Sequence, residues 1–204
     1  MMITCLDLEG VLVPEIWIGV AERSGIDALR LTTRDIADYD ELMQHRLAIL
    51  REHGLKIDYI QSVIDELSPL DGAIDFLQWL RSRSQVVILS DTFYEFAQPL
   101  MKQLGWPTLF CHRLQIDIQG QITGYRLRQA DPKRHAVRAL RSLNFQIVAA
   151  GDSYNDLSML TEADAGILFN PPDSLVADYP QFPVTTDYTM LSDAILNVER
   201  YSLS

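Results

Sequence analysis

Two pairs of acidic residues, far apart in the sequence, have the residue types and spacings of a site that binds a metal ion. Asp7 and Glu9 lie two positions apart, and Asp152 and Asp156 lie four positions apart. If these carboxylates meet, they cannot all stay ionised at close range without a compensating cation. Oxygen ligands without Cys or His favour a hard ion, and carboxylates together with phosphate oxygens are the usual environment of Mg2+ in proteins. The four acids are therefore the predicted metal ligands.

A carboxylate beside such a metal can act on a phosphoryl group. Asp7 is the candidate nucleophile, which would give an aspartyl-phosphate intermediate. Glu9 follows two residues later, on the same side of an extended segment, and is the candidate general acid and base. Lys133 is the candidate cation that neutralises charge developing during transfer. Whether Glu9 is the acid and base or only a neighbour of the metal stays open.

Polar residues elsewhere in the chain are candidates for holding the substrate. Ser90, Asp91 and Thr92 follow an apolar run and are candidates for binding the substrate. Ser90, with Thr92 and the backbone as rivals, could hold the phosphoryl oxygens together with nearby backbone amides. Asn155 lies between two of the acids and is a candidate for orienting the ligand, with helix capping as the alternative. The four histidines are scattered without the spacing of a zinc site and are interpreted as surface or core residues.

Short apolar runs must position these residues. Residues 3–6, 86–89 and 147–150 each end in the polar groups above, and residues 167–169 form a fourth run. Such runs are typical of strands buried on both faces of a parallel sheet. Helical spacing between them predicts an α/β fold, in which ligands bind beyond the carboxyl ends of the strands. Alternating residues 114–118 and 121–125, joined at Gln119 and Gly120, predict a β-hairpin.

Length and charge limit the classes of function. The chain has 204 residues, 48% of them hydrophobic and 22% charged, which indicates an ordinary globular protein with a real core. A formal net charge of -11 argues against a nucleic-acid partner and means that local cations must attract an anionic substrate. No apolar run approaches the ~20 residues of a membrane span. With no basic leader and two isolated cysteines, Cys5 and Cys111, the expected location is the cytoplasm.

Residues 7–11, Ser90, Lys133 and residues 151–156 resemble, in order and spacing, the four motifs of the haloacid dehalogenase superfamily of phosphotransferases. The resemblance implies a Rossmann-like core domain of residues 1–14 and 70–204. Residues 15–69, where only helical patterns are found, would form the cap that closes over the site and selects the substrate.

Within that superfamily the sequence is most similar to phosphoserine phosphatases, and among these to the bifunctional type that also transfers phosphate from phosphoserine to homoserine. This resemblance rests on residues 7–15, 46–50 and 90–93. It implies that Glu15 and Arg46 bind the amino-acid part of the substrate, and a guanidinium is well suited to grip a carboxylate. Two departures are Glu9, where most members have Asp, and Val11, where Thr is common.

Each candidate also has a simpler interpretation. An aspartate at a strand end is often only a turn former or helix cap, and Asp156 could be an ordinary first-turn acid. Arg46 could extend from an apolar stripe to water, and Glu15 could be a first-turn acid of a helix. The two rival functions are a non-enzymatic sensor of a phosphorylated metabolite and a phosphatase for another small phosphate ester. The joint order of the motifs favours the enzyme with phosphoserine as substrate.

Overall fold

A computed structural model of the chain describes residues 1–202 apart from positions 33, 34 and 37. The strands are β1 (Met2–Leu6), β2 (Gln85–Phe93), β3 (Thr108–Ile116), β4 (Ile122–Arg126), β5 (Gln146–Gly151), β6 (Ala165–Phe169) and β7 (Val184–Thr185). They form one seven-stranded sheet in the order β4-β3-β2-β1-β5-β6-β7. Every pairing is parallel except that of β3 with β4. The predicted α/β class is therefore confirmed.

Helices pack on both faces of the sheet in the described part of the chain. They are α1 (Ile16–Ser24), α2 (Tyr39–Glu52), α3 (Ile57–Asp65), α4 (Ala73–Arg81), α5 (Tyr94–Gln103), α6 (Pro132–Ser142), α7 (Leu157–Glu162), α8 (Asp173–Asp178) and α9 (Tyr188–Ser202). Short 3-10 turns occupy Asp27–Arg30 and Tyr154–Asp156. In the described part of the chain, no helix is long and apolar enough to cross a bilayer.

The central strand β1 is buried on both faces, as its apolar run predicts. Cys5 packs into one apolar cluster with residues of α6 and α7, whereas Leu6 packs into a second cluster with residues of α4 and α9. Successive residues of a strand point to opposite faces, so each of the two layers of helices receives alternate side chains. The carboxyl end of β1, with Asp7 next along the chain, is consequently held in the middle of the sheet.

Two parts of the sheet were not predicted from the sequence. The first half of β3 pairs in parallel with β2 before the strand continues into the predicted hairpin with β4. The short edge strand β7 has only two residues and no pattern that could reveal it. The hairpin turn is wider than predicted, because Asp117 accepts hydrogen bonds from the amides of Gln119 and Gln121.

Residues 15–69, called here the helical insertion, contain α1, α2 and α3 and no strand among their described residues. The hairpin supports this insertion from the side of the sheet. The amide of Ile57 donates to the carbonyl of Gly120 at 3.0 Å, and the hydroxyl of Tyr125 donates to Asp40. Where the chain leaves the insertion, the amide of Leu70 donates to the carbonyl of Leu12 at 2.9 Å. The division into core and cap stays a prediction.

Candidate active site

The carboxyl ends of the three central strands bring the predicted residues together. Asp7 follows β1, Asp152 follows β5, and Ser90 lies near the end of β2. The pairing of β2 with β3 shifts register between Leu89 and Phe93, so the backbone around Ser90 leaves the regular ladder. Such irregularities re-aim side chains near functional sites. Together these strand ends form the floor of the site.

Three of the four predicted metal ligands meet at this floor. Asp7, Asp152 and Asp156 each offer a carboxylate oxygen, and these atoms all lie within 4.8 Å of one another. Asp7 and Asp156 are buried. Burial and the charge of Asp156 raise the pKa of Asp152 to about 7, and the same two causes raise the pKa of Asp7 well above its usual value. An all-oxygen set of acids that repel one another fits a hard divalent cation.

Glycines leave room for this cluster. A Cβ on Gly10, whose φ is +77°, would lie 2.4 Å from the nearer carboxylate oxygen of Asp152. A Cβ on Gly151 would lie 2.3 Å from the carboxyl carbon of Asp156. Both distances are shorter than any real contact, so larger residues at these two positions would displace the acids. The two motif glycines therefore form a cradle around the carboxylates.

Lys133 is enclosed by acids. Its ammonium lies 2.7 Å from Asp156 Oδ1, 3.0 Å from Asp7 Oδ1 and 3.6 Å from Asp91 Oδ2, and its side chain is 2% exposed. Burial alone would lower the pKa of Lys133, but the three carboxylates outweigh it and hold the pKa well above its usual value. Lys133 therefore carries a permanent positive charge beside the candidate nucleophile.

Asp156 combines two of the roles weighed from the sequence. Its Oδ1 meets Lys133, while its Oδ2 accepts hydrogen bonds from the amides of Asp152 and Ser153 at 3.0 and 3.1 Å. With Ser153 it also forms the capping box of the 3-10 turn Tyr154–Asp156. A capping acid is thus also a member of the acid cluster, and the turn fixes its direction.

Glu9 lines the cavity but is not part of the cluster of Asp7, Asp152 and Asp156. Its Oε2 accepts a hydrogen bond from the amide of Ile16 at 2.9 Å, at the start of α1. Burial and the charge of Glu15 raise the pKa of Glu9 to about 7, although Ile16, Arg46 and Thr92 partly offset them. The chain does not stay extended after Asp7, because Leu12 N donates to Leu8 O at 2.8 Å and turns the backbone. Glu9 is suited to gaining and losing a proton near neutral pH, and of the four predicted metal ligands it alone does not join the cluster of carboxylates.

Arg46 lies inside the cavity and does not extend to water. Its guanidinium stacks over the ring of Trp17 at 4.5 Å, and its Nη2 donates to the carbonyl of Leu31 at 2.8 Å. The Nε atom is buried and has no hydrogen-bond partner among the described residues. Burial lowers the pKa of Arg46 to about 10, so the group stays charged at neutral pH. An unpaired donor on a buried cation is costly unless an anionic ligand completes it.

A cavity of about 380 Å³ lies between the strand ends and the helical insertion. Its walls carry the predicted catalytic and binding residues except Asp156, which is buried behind them: Asp7, Glu9, Glu15, Arg46, Ser90, Asp91, Thr92, Lys133, Asp152 and Asn155. Ser90 is buried and its hydroxyl accepts from the amide of Thr92 at 3.2 Å. Glu15 is exposed and makes no side-chain cap for α1. The volume suits a small ligand.

Tyr39 is a wall residue that the sequence analysis missed. Its hydroxyl donates to the carbonyl of Asp91 at 3.1 Å, which links α2 to the end of β2 across the cavity. Its ring meets the ring of Tyr125 edge-on, with centroids 6.2 Å apart. Tyrosine at the start of a helix carries no signal of such a role, since only the folded insertion places it opposite the sheet.

An open α/β sheet with a buried lysine among strand-end aspartates is the arrangement expected of a phosphoryl-transfer protein. The chain belongs to the haloacid dehalogenase-like hydrolase family, whose family model matches residues 5–164. The resemblance found in the sequence is thereby confirmed.

The chain is also similar to individual proteins of known name and to solved structures. The chain is 61% identical over 204 residues, covering 100% of both chains, to "Phosphoserine phosphatase ThrH" of Pseudomonas aeruginosa. It is 60% identical over 201 residues to "Phosphoserine phosphatase" of Pseudomonas syringae pv. tomato, covering 98% of this chain and 85% of the relative. A solved "Phospho-Aspartyl Intermediate Analogue of Phosphoserine phosphatase" has a TM-score of 0.72 at 19% identity, covering 90% of this chain and 91% of that one. The last likeness concerns the fold alone.

Proposed function

We propose that the chain is a cytoplasmic, Mg2+-dependent phosphoserine phosphatase that also transfers the phosphoryl group to homoserine. The observation that carries this proposal is the ion-paired set of Asp7, Lys133 and Asp156, with the guanidinium-bearing side chain of Arg46 lining the same cavity. The names of the two Pseudomonas relatives support phosphoserine as the substrate. Cys5 and Cys111 are free and buried, which fits a reducing compartment.

Asp7, Asp152 and Asp156 would hold Mg2+, which when bound offsets their mutual repulsion and the charge of the phosphoryl oxygens. Asp7 attacks phosphorus, the bond from phosphorus to the serine oxygen breaks, and Glu9 gives its proton to that oxygen. Glu9 then takes a proton from the acceptor hydroxyl, the new oxygen–phosphorus bond forms, and the ester of Asp7 breaks. Lys133 stabilises the charge on the transferred group throughout.

The charges of the cavity suit an amino-acid phosphate. Arg46 lies on the helical insertion and can pair its guanidinium with the substrate carboxylate, while Glu15 offers a carboxylate to the ammonium group. With a net charge of -11, the chain as a whole repels a substrate of this kind. Arg46 and Lys133 are the local cations that overcome this repulsion.

An acceptor screen tests the activity. Phosphoserine is supplied with and without homoserine and Mg2+, and inorganic phosphate is scored against phosphohomoserine. Asp7→Asn should abolish both products, and mass spectrometry of the quenched parent enzyme should place a phosphoryl group on Asp7. Tight binding of phosphoserine without any turnover would support the rival sensor, and phosphate release that is unaffected by chelation would contradict the metal site.

Arg46 is tested with substrates that differ in one group. Arg46→Lys keeps a charge but loses the paired donors, so KM should rise about tenfold or more for phosphoserine. The same variant should change KM by less than about threefold for phosphoethanolamine, which lacks the carboxylate. Equal effects on both substrates would mean that Arg46 does not bind the carboxylate, and would favour a phosphatase for another small ester.

Glu9 could explain why the phosphoryl group is transferred to an alcohol as well as to water. Its side chain is one methylene longer than that of the Asp found in most of the superfamily. A shift of a catalytic carboxyl group by about 1 Å can change the rate roughly 100-fold. We infer that the longer arm helps the homoserine hydroxyl to compete with water. Glu9→Asp should then raise the ratio of inorganic phosphate to phosphohomoserine. An unchanged ratio would refute this explanation.

A further inference from the structure

Asp91 is held from several directions at the end of β2. Its Oδ2 accepts a hydrogen bond from Asn155 Nδ2 at 3.0 Å and lies 3.6 Å from Lys133 Nζ. Its carbonyl accepts from the hydroxyl of Tyr39. Its other carboxylate oxygen, Oδ1, lies 3.6 Å from Nε2 of His112. The residue therefore joins the helical insertion, α6, the turn after β5 and β3.

His112 is the least expected of these partners. It lies on β3 opposite Phe93 and is 3% exposed. Its Nδ1 accepts a hydrogen bond from the amide of Arg128 at 3.1 Å. A neutral imidazole carries its proton on one nitrogen only, so the Arg128 amide places that proton on Nε2, the atom that faces Asp91. The backbone thus sets the tautomer that suits the carboxylate.

The electrostatics of Asp91 agree with this geometry. Burial alone would raise the pKa of Asp91, but Lys133, His112 and Asn155 outweigh it and hold the pKa well below its usual value. Asp91 therefore stays ionised and counts as a third carboxylate around the ammonium of Lys133. Loss of the His112 contact would release the Oδ1 end of this carboxylate and leave Asn155 alone to hold Oδ2, so the partner of Lys133 would be less firmly fixed.

We propose that His112 is a positioning residue for phosphoryl transfer: through the carboxylate of Asp91 it fixes Lys133 between Asp7 and Asp156. This inference deepens the proposed function and rests on it. His112 itself does not line the cavity and touches no reacting atom. Its effect should consequently appear in the rate of the chemical step and leave substrate binding almost unchanged.

Two substitutions separate the two nitrogens of the ring. In His112→Asn the amide oxygen can replace Nδ1 and keep the bond from Arg128, but nothing reaches Asp91. In His112→Gln the longer amide can replace Nε2 and reach Asp91, but the acceptor for Arg128 is lost. We expect kcat for phosphoserine to fall about tenfold in His112→Asn, with KM within about twofold of the parent, and to be higher in His112→Gln than in His112→Asn. The melting temperature should show the opposite order.

A purely structural role for His112 would reverse the result. If kcat follows the melting temperature and His112→Asn is the more active variant, the proposal is wrong. Asp91→Asn supplies the test of the intermediate step, because adding His112→Asn to it should lower kcat by less than about twofold. A full tenfold loss on that background would show that His112 does not act through Asp91.

A spectroscopic measurement separates failure of this inference from failure of the proposed function. Imidazole 15N resonances of the parent protein report the tautomer of His112 without any turnover. We expect the Nε2–H form, and we expect Asp91→Asn to shift the Nε2 resonance. A Nδ1–H form, or an Nε2 resonance that Asp91→Asn leaves in place, would overturn the contact even if phosphoserine is the substrate. The contact would stand if it is found while phosphoserine is not turned over.

Discussion

Substitution of Gly10 by Ala combines backbone strain with displacement of the Asp152 carboxylate, which we propose as a metal ligand. The new Cβ would lie 2.4 Å from an oxygen of Asp152 and 2.5 Å from its carboxyl carbon. Asp152 must move by roughly 1 Å to reach ordinary van der Waals contact. A displacement on the order of 1 Å at a reacting centre can cost about 100-fold in rate. We therefore expect kcat to fall about 100-fold and the Mg2+ concentration for half-maximal activity to rise.

Gly25→Ala is the matched control for this experiment. Gly25 has a φ of +70°, close to the +77° of Gly10, but a Cβ there would meet nothing within 4 Å. The left-handed conformation costs an alanine about 1–2 kcal/mol at either position, which is a fall in melting temperature of about 2–8 °C for a chain of this size. Gly25→Ala should show this fall while its kcat and Mg2+ dependence stay at the parent values.

Phosphate release over a Mg2+ titration and thermal unfolding are the two assays. If Gly10→Ala is as active as Gly25→Ala at the same Mg2+ concentration, then the present position of Asp152 does not matter for turnover. The background of Asp152→Ala gives a second check on the stability of the fold. There the contact no longer exists, so Gly10→Ala should lower the melting temperature only as much as Gly25→Ala does.

Three further expectations concern buried groups. Lys133→Met leaves the two buried carboxylates of Asp7 and Asp156 without their shared cation, so kcat should fall by about 100-fold or more. Mg2+ should raise the melting temperature of this variant more than that of the parent. Equal increases in melting temperature in the two proteins would contradict this expectation. The pKa of Glu9 is raised from 4.5 to about 7, so the folded state holds a proton that the unfolded state has lost. The stability of the Mg2+-free protein should thus fall as pH rises across that range, and urea titrations of Glu9→Gln should show a smaller fall. Burial raises the pKa of Cys5 to about 12 and also raises that of Cys111, so a disulfide reagent should label neither thiol until urea unfolds the chain.

The sequence predicted the parts of the fold that have a local signal. Buried parallel strands produce apolar runs, and the polar residues that follow them, such as Asp7, Ser90 and Asp152, marked the carboxyl edge correctly. The first half of β3 was not predicted because a parallel pairing and an antiparallel pairing follow each other within this one strand. A run of alternating residues was therefore visible only in the second half.

The sequence predicted which residues form the site better than it predicted where their side chains point. The order of the motifs identified Asp7, Lys133 and Asp156, which the structure brings within ion-pair distance. The direction of Glu9 depends on the turn at Gly10, which bends the chain immediately after the motif begins. His112 was interpreted as a surface or core residue, since its meeting with Asp91 depends on the pairing of β3 beside β2. Long-range pairing of this kind leaves no trace in residue spacing.

The main-chain bond between Leu70 and Leu12 has a consequence for how such proteins diversify. The chain enters and leaves the helical insertion through two neighbouring connectors, which are fastened to each other at 2.9 Å. The hydroxyl of Tyr188 in α9 also donates to the carbonyl of Val11 at 2.7 Å, which anchors the junction to the sheet. A graft that exchanges everything between these connectors would keep both bonds and leave the acid cluster intact. Because we predict that the insertion selects the substrate, we expect such a graft between homologues to change the substrate preference and to leave the chemistry at the strand ends in place.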